Sequence, residues 1–532
     1  MRKHNFRHKE RGVSLLIALL ALLLISAVGL GMVYMSNTET SINANYKDTQ
    51  TAFFAMRAGL EEMRDRMRSD ATFPIGLPTT MPGTPNSILY ILNPSGGADV
   101  VDPRTFGNTY FDDELCHESF VGSPVTYVAP GAPCTALGAP PLGNVTTTAS
   151  VSPYTNTASS LKYKWVRITL KQNGTFPSAL ADPTQTGVNL ASQACWNSAT
   201  NQEVVASALG YPNCAAAALA GLYVQPVYII TTMAITPQGS RRVGQYESAA
   251  YNITPPPGAL ALDGPAAVFN PTPSSVNYFS NGNNSGNPAN AGVYTPFTGP
   301  GGQASCASTL PLQTTAISTG DNAGVNGITT NLTGPPDRTG NYTGTGPTPS
   351  VVNQGPTGGN QFTGVWSSPA ALNNMVSVLA NGADKTYSCG IAPAGSACTG
   401  TGPYGTDAAP QVTYVNGDFN FGNASGAGVL VVTGTLNITG NSSFDGLILV
   451  IGQGSLSESG GGNGQFNGSI FLAKTNSSVS TTTPPYAQLA ALGSPNIAWN
   501  GGGTNGIQFN SCWANIGNTM HYLVVASREE MY

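Results

Sequence analysis

Charge is what this sequence has least of. Lys, Arg, Asp and Glu make up 9% of its 532 residues, and beyond Arg242 the cations thin out to Arg338, Lys385, Lys474 and Arg528. Neutralising a run of phosphates takes clustered Lys and Arg, so no nucleic-acid partner is expected. Histidine is scarce as well: outside the first ten residues there are only His117 and His521, far apart in the chain. No G-x-S-x-G elbow, Walker loop or Rossmann fingerprint occurs, and no cysteine pair has the C-x-x-C spacing of a redox or zinc site. The acidic run Asp112-Asp113-Glu114 lacks the alternation of a calcium loop and reads as a solvated loop. The expectation is a chain with no catalytic residue, metal or cofactor, and not an enzyme. Abundant Gly, Ser, Thr and Asn with little charge resembles disorder, yet 40% apolar residues suffice to build cores.

The cations that do occur gather at the front, where Arg2, Lys3, Arg7, Lys9 and Arg11 are opposed by Glu10 alone. From Val13 to Met35 no charge follows, and the only hydroxyl side chains before Tyr34 are Ser14 and Ser26. About 23 residues at ~1.5 Å each span a bilayer, and the basic flank keeps this end cytoplasmic. A cleavable secretory signal usually has a core of about 7–15 residues, shorter than this one, although Ala27, Gly29 and Gly31 supply small residues near its end. Beyond the run, Ser36 to Ser69 contains no proline and one glycine, Gly59, so the helix continues. Ile42, Tyr46, Phe53, Met56, Leu60, Met63 and Met67 recur along it as one apolar stripe, which predicts packing against the chain's own downstream domain. Glu61, Glu62, Arg64, Asp65 and Arg66 read as its solvated face.

A helix of this length, greasy in its first half and amphipathic in its second, resembles the N-terminus of type IV pilins. It is most similar to the PilX-like minor pilins and the tip subunit of secretion pseudopili. The residues that carry the resemblance are the basic leader, the junction Arg11-Gly12-Val13, "VSLLIALLALLLISAVGLGM" and "NANYKDTQTAFFAMRAGLEEMR". It covers about the first 70 residues well and the rest loosely. The resemblance implies cleavage by prepilin peptidase after Gly12 and N-methylation of Val13. It also implies partnership with other pilins and minor pilins through the helix, and residence in the inner membrane before assembly into a pilus or pseudopilus. Most major pilins carry a glutamate at the fifth mature position, and here that position is Ile17. A carboxylate in an apolar fibre core needs a cationic partner. A subunit lacking it fits a minor, initiating or tip role. Three readings stay open: a minor pilin-like structural subunit in assembly or adhesion, an uncleaved inner-membrane-anchored binding module, and a carbohydrate-active β-solenoid enzyme.

The fold class expected is α+β, with leader 1–12, helix 13–70, an antiparallel head 71–255 and a β-rich module 256–532. In the head, "KYKWVRITLKQ" alternates as a half-buried strand, and "LYVQPVYIITTMAIT" with "RRVGQYESAAYNI" flanks the turn Pro237–Ser240 as a hairpin. Three prolines, Pro255 to Pro257, mark the boundary. In the second module "VNGDFNFG", "VTGTLNITG", "FDGLILVIG" and "FNGSIFLA" each run through a glycine into a short strand. Gly417, Gly434, Gly446 and Gly468 lie 17, 12 and 22 residues apart, so stacked solenoid coils and an antiparallel sandwich both remain. "SPAALNNMVSVLANGA" reads as a helix and "YLVVA" as a terminal strand of that module. Eight cysteines in an exported chain read as disulfides. Proximity favours Cys116 with Cys134, Cys195 with Cys214 and Cys389 with Cys398, leaving Cys306 and Cys512 by elimination. Trp196, Trp366, Trp499 and Trp513 are candidates for a carbohydrate-binding face or for core; any surface or carbohydrate ligand is otherwise unknown.

Overall fold

The computed structural model describes residues 11–67, 75–81, 87–93, 100–118, 144–147, 163–173, 191–198, 200–220, 222, 224–251, 253–287, 312–392, 396–400, 402, 404–460, 462–477, 487–516 and 522–531. Leader residues 1–10, Cys134, Cys306 and His521 lie outside them. A long N-terminal apolar helix precedes a chain made largely of sheet, an α+β architecture.

Helix α1 runs unbroken from Arg11 to Arg66, 56 residues or about 84 Å. Its C-terminal part lies on a mainly antiparallel head sheet built from β1 (Ile88–Leu92), β2 (Asn144–Thr147), β3 (Trp165–Leu170), β4 (Ala194–Asn197), β5 (Gln202–Val205), β6 (Val224–Ile235) and β7 (Arg241–Ala249). The order is β2-β1-β3-β6-β7, with β4 and β5 joined to the start of β6. Strands β6 and β7 form the expected hairpin, its turn closed by Gly239 at φ +98°, a left-handed value that costs glycine little. A short helix α2 (Cys214–Leu219), capped by Asn213, is tied to β4 by the Cys195–Cys214 disulfide.

After β7 the architecture changes. Strands β8 (Gly258–Asp263), β9 (Val268–Pro271), β10 (Phe279–Asn281), β11 (Thr315–Thr319), β12 (Tyr342–Thr343) and β13 (Val351–Asn353) come first, with helix α3 (Asn322–Thr333) between β11 and β12. Helix α4 (Pro369–Asn381), N-capped by Ser368 as its sequence suggests, then leads to β14 (Lys385–Ser388) and β15 (Cys398–Thr399). From there the chain winds upward in two-strand coils: β16 (Gln411–Asn416) with β17 (Phe419–Gly422), β18 (Ser425–Val432) with β19 (Thr435–Thr439), and β20 (Ser443–Gly452) with β21 (Ser455–Gly460). β22 (Gln465–Asn476), β23 (Gln488–Gly493), β24 (Asn496–Gly501) and β25 (Gly506–Phe509) complete the stack, and helix α5 (Ser511–Ala514) follows.

A sandwich requires antiparallel ladders, but those between coils are parallel; among the named strands of the module in the described residues, β23 against β22 runs the other way. The long sheet is β14-β16-β18-β20-β22, continued by β8 and β25, and the short sheet is β15-β17-β19-β21-β24-β9. The start of the module therefore stacks on its end: β8 pairs with β22 and β9 with β24. Between the sheets lies an apolar interior including Leu430, Leu436, Phe444, Leu456 and Ile497. Outside the long sheet, α4 covers Val429, Leu447, Leu449 and Phe471 with Leu372, Met375 and Leu379. Burial on both faces is why β18 and β20 read "VLVV" and "LILV" without alternation.

The glycines belong to two stacks rather than one. Gly428, Gly446 and Gly468 stand in register on β18, β20 and β22 with φ of +123°, +147° and +135°, and a Cβ on each of the last two would overlap the carbonyl oxygen of the one below. Gly417 and Gly434 stack at the opposite corner, where the Gly434 N–H donates to Gly417 O at 3.0 Å. Reading the four as a single series mixes two corners, which is why the spacing looked irregular.

The last strand, β26 (Leu523–Met531), leaves the stack and returns to the head, where it pairs antiparallel with β7 from Leu523 opposite Ala249 to Met531 opposite Arg242. The sequence reading placed it in the module 256–532; its ladder is with the head instead. The coiled module is thus an insertion between two adjacent strands of the head sheet.

Candidate assembly helix and exposed sheet face

The first half of α1 packs against none of the described residues outside the helix. Sixteen large apolar side chains from Val13 to Met35 are 51% to 77% exposed, Ile17 among them at 63%. It is long and apolar enough to cross a membrane. The hydroxyl of Ser26 donates to Leu22 O at 2.8 Å, so this polar group is satisfied within the helix. Cβ atoms on Gly29 and Gly31 would meet no neighbour, so their small size serves no packing within the chain. Covering this surface is worth on the order of tens of kcal/mol at roughly 1.5–3 per side chain.

The second half is covered, though later than the stripe predicts. Ile42 and Tyr46 remain exposed, because the sheet reaches the helix only near Asp48, whose carboxylate accepts from Thr236 Oγ1 at 2.9 Å. From Ala52 to Met67 the stripe is buried against Val166, Ile168, Leu170, Tyr228 and Ile230. Gly59 marks the closest approach: a Cβ there would lie 2.7 Å from Thr232 and 2.8 Å from the Tyr163 ring. Gly244 on β7 makes room in turn for the Met56 sulfur.

The charges at the end of α1 are not the solvated face that the sequence suggests. Glu62 and Arg66 are buried as a pair at 3.6 Å, and Tyr163 donates to Glu62 at 3.0 Å. Glu61 pairs with Arg64 and accepts from Tyr246 at 3.1 Å, while Arg64 Nε donates to Tyr522 O at 2.8 Å beside the returning strand. The helix is therefore fixed to the head by specific polar contacts as well as by its stripe.

The opposite side of the head sheet corrects two more expectations. From Tyr163 to Gln172 the stretch "YKWVRITLKQ" is fully rather than half buried, and two of its cations, Arg167 and Lys171, sit in ion-pair triads. Arg167 meets Asp112 at 2.7 Å and Glu118 at 2.6 Å, and Tyr90 donates to Asp112 at 2.9 Å. Lys171 meets Glu203 at 2.8 Å and Glu247 at 2.9 Å. Burial works against both cations, but the paired carboxylates outweigh it and hold each pKa above its ordinary value. Asp112 and Asp113 are thus engaged by Arg167 and Arg241, which leaves no solvated acidic loop there.

In the coiled module the two sheets differ. The short sheet turns its alternate side chains outward, and registers align them into rows across the coils. The central row is Thr399, Asn420, Asn437, Ser457, Ala498 and Asn270. Thr435, Ser455 and Asn496 flank it on one side, and Thr439, Ser459 and Asn500 on the other. All are half-buried or exposed and none is charged. Asn437 Nδ2 donates to Asn420 Oδ1 at 3.1 Å, which ties neighbouring coils together. No buried apolar cluster lies on this face among the described residues. Sequence reading missed these positions, although the alternation in "TLNIT" and "SLSES" carries the signal.

Other candidates are placed as follows. Cys195–Cys214 and Cys389–Cys398 are disulfides, the second closing the lowest coil. Cys116 and Cys512 are also disulfide-bonded; Cys134 and Cys306, matched to them by sequence, lie outside the described residues. Trp196, Trp366, Trp499 and Trp513 are all buried, so none offers a ring to a surface ligand. Glu458 and Asp418, two acidic residues of the coils, are buried structural acceptors: Tyr278 and Asn505 donate to the former, the Ala392 and Thr435 amides to the latter. Val13 sits in the first turns of α1, which begins at Arg11. Comparison with protein-family models finds no match, and comparison with curated proteins and solved structures finds no significant one.

Proposed function

We propose that the chain is a PilX-like minor pilin or pseudopilus-type subunit, cleaved after Gly12 and built into a fibre through α1, with the coiled module displayed outward. The observation that carries this reading is the division of one continuous helix into a bare apolar half and a half docked on an antiparallel sheet. A bare helix of this kind is stable in a bilayer, where its aliphatic surface meets lipid. Outside the bilayer that surface has to be covered, and a bundle of similar helices covers it with close packing at small residues such as Gly29 and Gly31. Ile17 brings no charge into such a bundle. Membrane anchoring alone needs only the apolar run.

The test is the N-terminus of the protein from its native host, by mass spectrometry of sheared surface material and of membranes. A start at N-methylated Val13 in the sheared fraction is expected. A start at Met1, found only in membranes, overturns the fibre reading in favour of an anchored binding module. Leu20→Asp places a charge mid-run and is expected to abolish recovery in sheared material; recovery at wild-type levels contradicts assembly through this helix.

A further inference from the structure

We infer that the outward face of the short sheet, centred on the row Thr399, Asn420, Asn437, Ser457, Ala498 and Asn270, binds an uncharged polysaccharide laid across the coils. Parallel sheets are ordinarily covered on both faces, as the long sheet is by α4, and among the described residues no apolar layer covers this one. In keeping with a chain of 9% charged residues, the named positions of the three rows hold only Thr, Asn, Ser and Ala. Such a face offers no attraction to phosphate or sulfate groups. It offers donors and acceptors in equal measure, which suits a ligand made of hydroxyl groups.

The geometry favours a polymer over a small sugar. The coils stand about 4.8 Å apart, so each row repeats a short polar side chain at that interval across up to six strands. The side chains are short and lose little rotamer freedom on binding, and the Asn437–Asn420 bond holds two of them in place beforehand. The face has no pocket walls and no exposed tryptophan, so each contact with one sugar merely replaces a contact with water. Useful affinity therefore comes from many units engaged together.

The experiment uses the full-length protein in micelles of a sugar-free detergent and does not depend on fibre assembly, so it fails or succeeds separately from the pilin reading. The probes are insoluble cellulose, chitin and β-1,3-glucan, with heparin-agarose as the anionic comparison. Wild type is expected to sediment with at least one neutral polymer and not with heparin. Asn437→Asp and Ser457→Lys, tested singly, are each expected to lower retention at least tenfold, because either sign of charge opposes dehydration of a neutral interface. Ser377→Lys on α4, across the stack, is expected to change nothing. Ser457→Ala, which brings no charge and keeps the Asn437–Asn420 bond, is expected to lower retention several-fold with an unchanged melting temperature, so a folding defect cannot mimic the result. Free glucose, N-acetylglucosamine and other monomers are expected to displace the protein far less than soluble oligomers. No retention on any neutral polymer, retention unchanged in both charged variants, loss with one sign only, or preference for heparin would each overturn the inference.

Discussion

The head and the coiled module solve the same problem, fixing strand register, with opposite chemistry. The head uses charge in its interior: Arg167 and Lys171 are buried and matched to carboxylates from other elements, and Arg66 is buried beside Glu62 of its own helix. The module relies mainly on repetition, with glycines stacked at corners, Asn side chains linking coils and an apolar filling, and its buried acids Asp418 and Glu458 are held by hydrogen-bond donors. Ion pairs are specific to one partner, so they suit a sheet whose strands come from distant parts of the chain and include β26. Ladders suit coils that meet their sequence neighbours. The two regions are nonetheless one chain twice over, because the module is inserted between β7 and β26.

Substitutions that remove each device should separate the regions. Arg167→Ala strands Asp112 and Glu118 without their cation and is expected to cost about 3–5 kcal/mol. Hydrogen exchange should rise in β3, β6, β7 and β26 and stay low in β18, β20 and β22. Gly446→Ala puts a Cβ onto the Gly428 carbonyl at a φ that alanine avoids, at a cost of about 2–5 kcal/mol, with the opposite exchange pattern. If either variant raises exchange in both regions equally, head and module are one cooperative unit. Cys389→Ser releases a bridge between residues only 9 apart, and loop entropy puts its effect at about 2–3 kcal/mol. Exchange should then rise first in β14 to β16, the end of the stack, and a uniform rise would show that the coils do not fray from that end.

What was legible in the sequence follows the range of the interactions. Helix α1, the β6–β7 hairpin and α4 are set by residues a few positions apart, and the sequence names them. The two glycine stacks were visible as glycines but not as two series, because Gly428 escaped notice and the coil length varies. The pairing of β26 with β7 joins Leu523 to Ala249, and no local pattern selects a partner so far away. The buried charges of α1 misled for a related reason: Glu62 and Arg66 look solvated until Tyr163 and the sheet close over them. The bare face of the short sheet was written plainly as polar–apolar alternation, but only the registers show that its outward residues align.

The last test concerns Asp263, a buried acid of the module that differs from Glu458 and Asp418 in its hydrogen bonding. Asp263, at the end of β8 opposite Ala473, is buried, and its Oδ2 meets no hydrogen-bond partner among the described residues. Burial pushes its pKa up to about 8, against an ordinary value near 4. Between those values the folded chain holds a proton that the unfolded chain has released, so stability falls as pH rises from about 4 to 8, by at most ~1.4 kcal/mol per unit. Asp263→Asn has no proton to lose, so its stability is expected to stay flat across this range and to exceed that of wild type progressively as pH rises above about 4. Denaturant unfolding of both proteins across that range decides it. Parallel pH profiles would mean that Asp263 is ionised in the fold and that some group compensates it, in which case the module, like the head, keeps a matched charge inside.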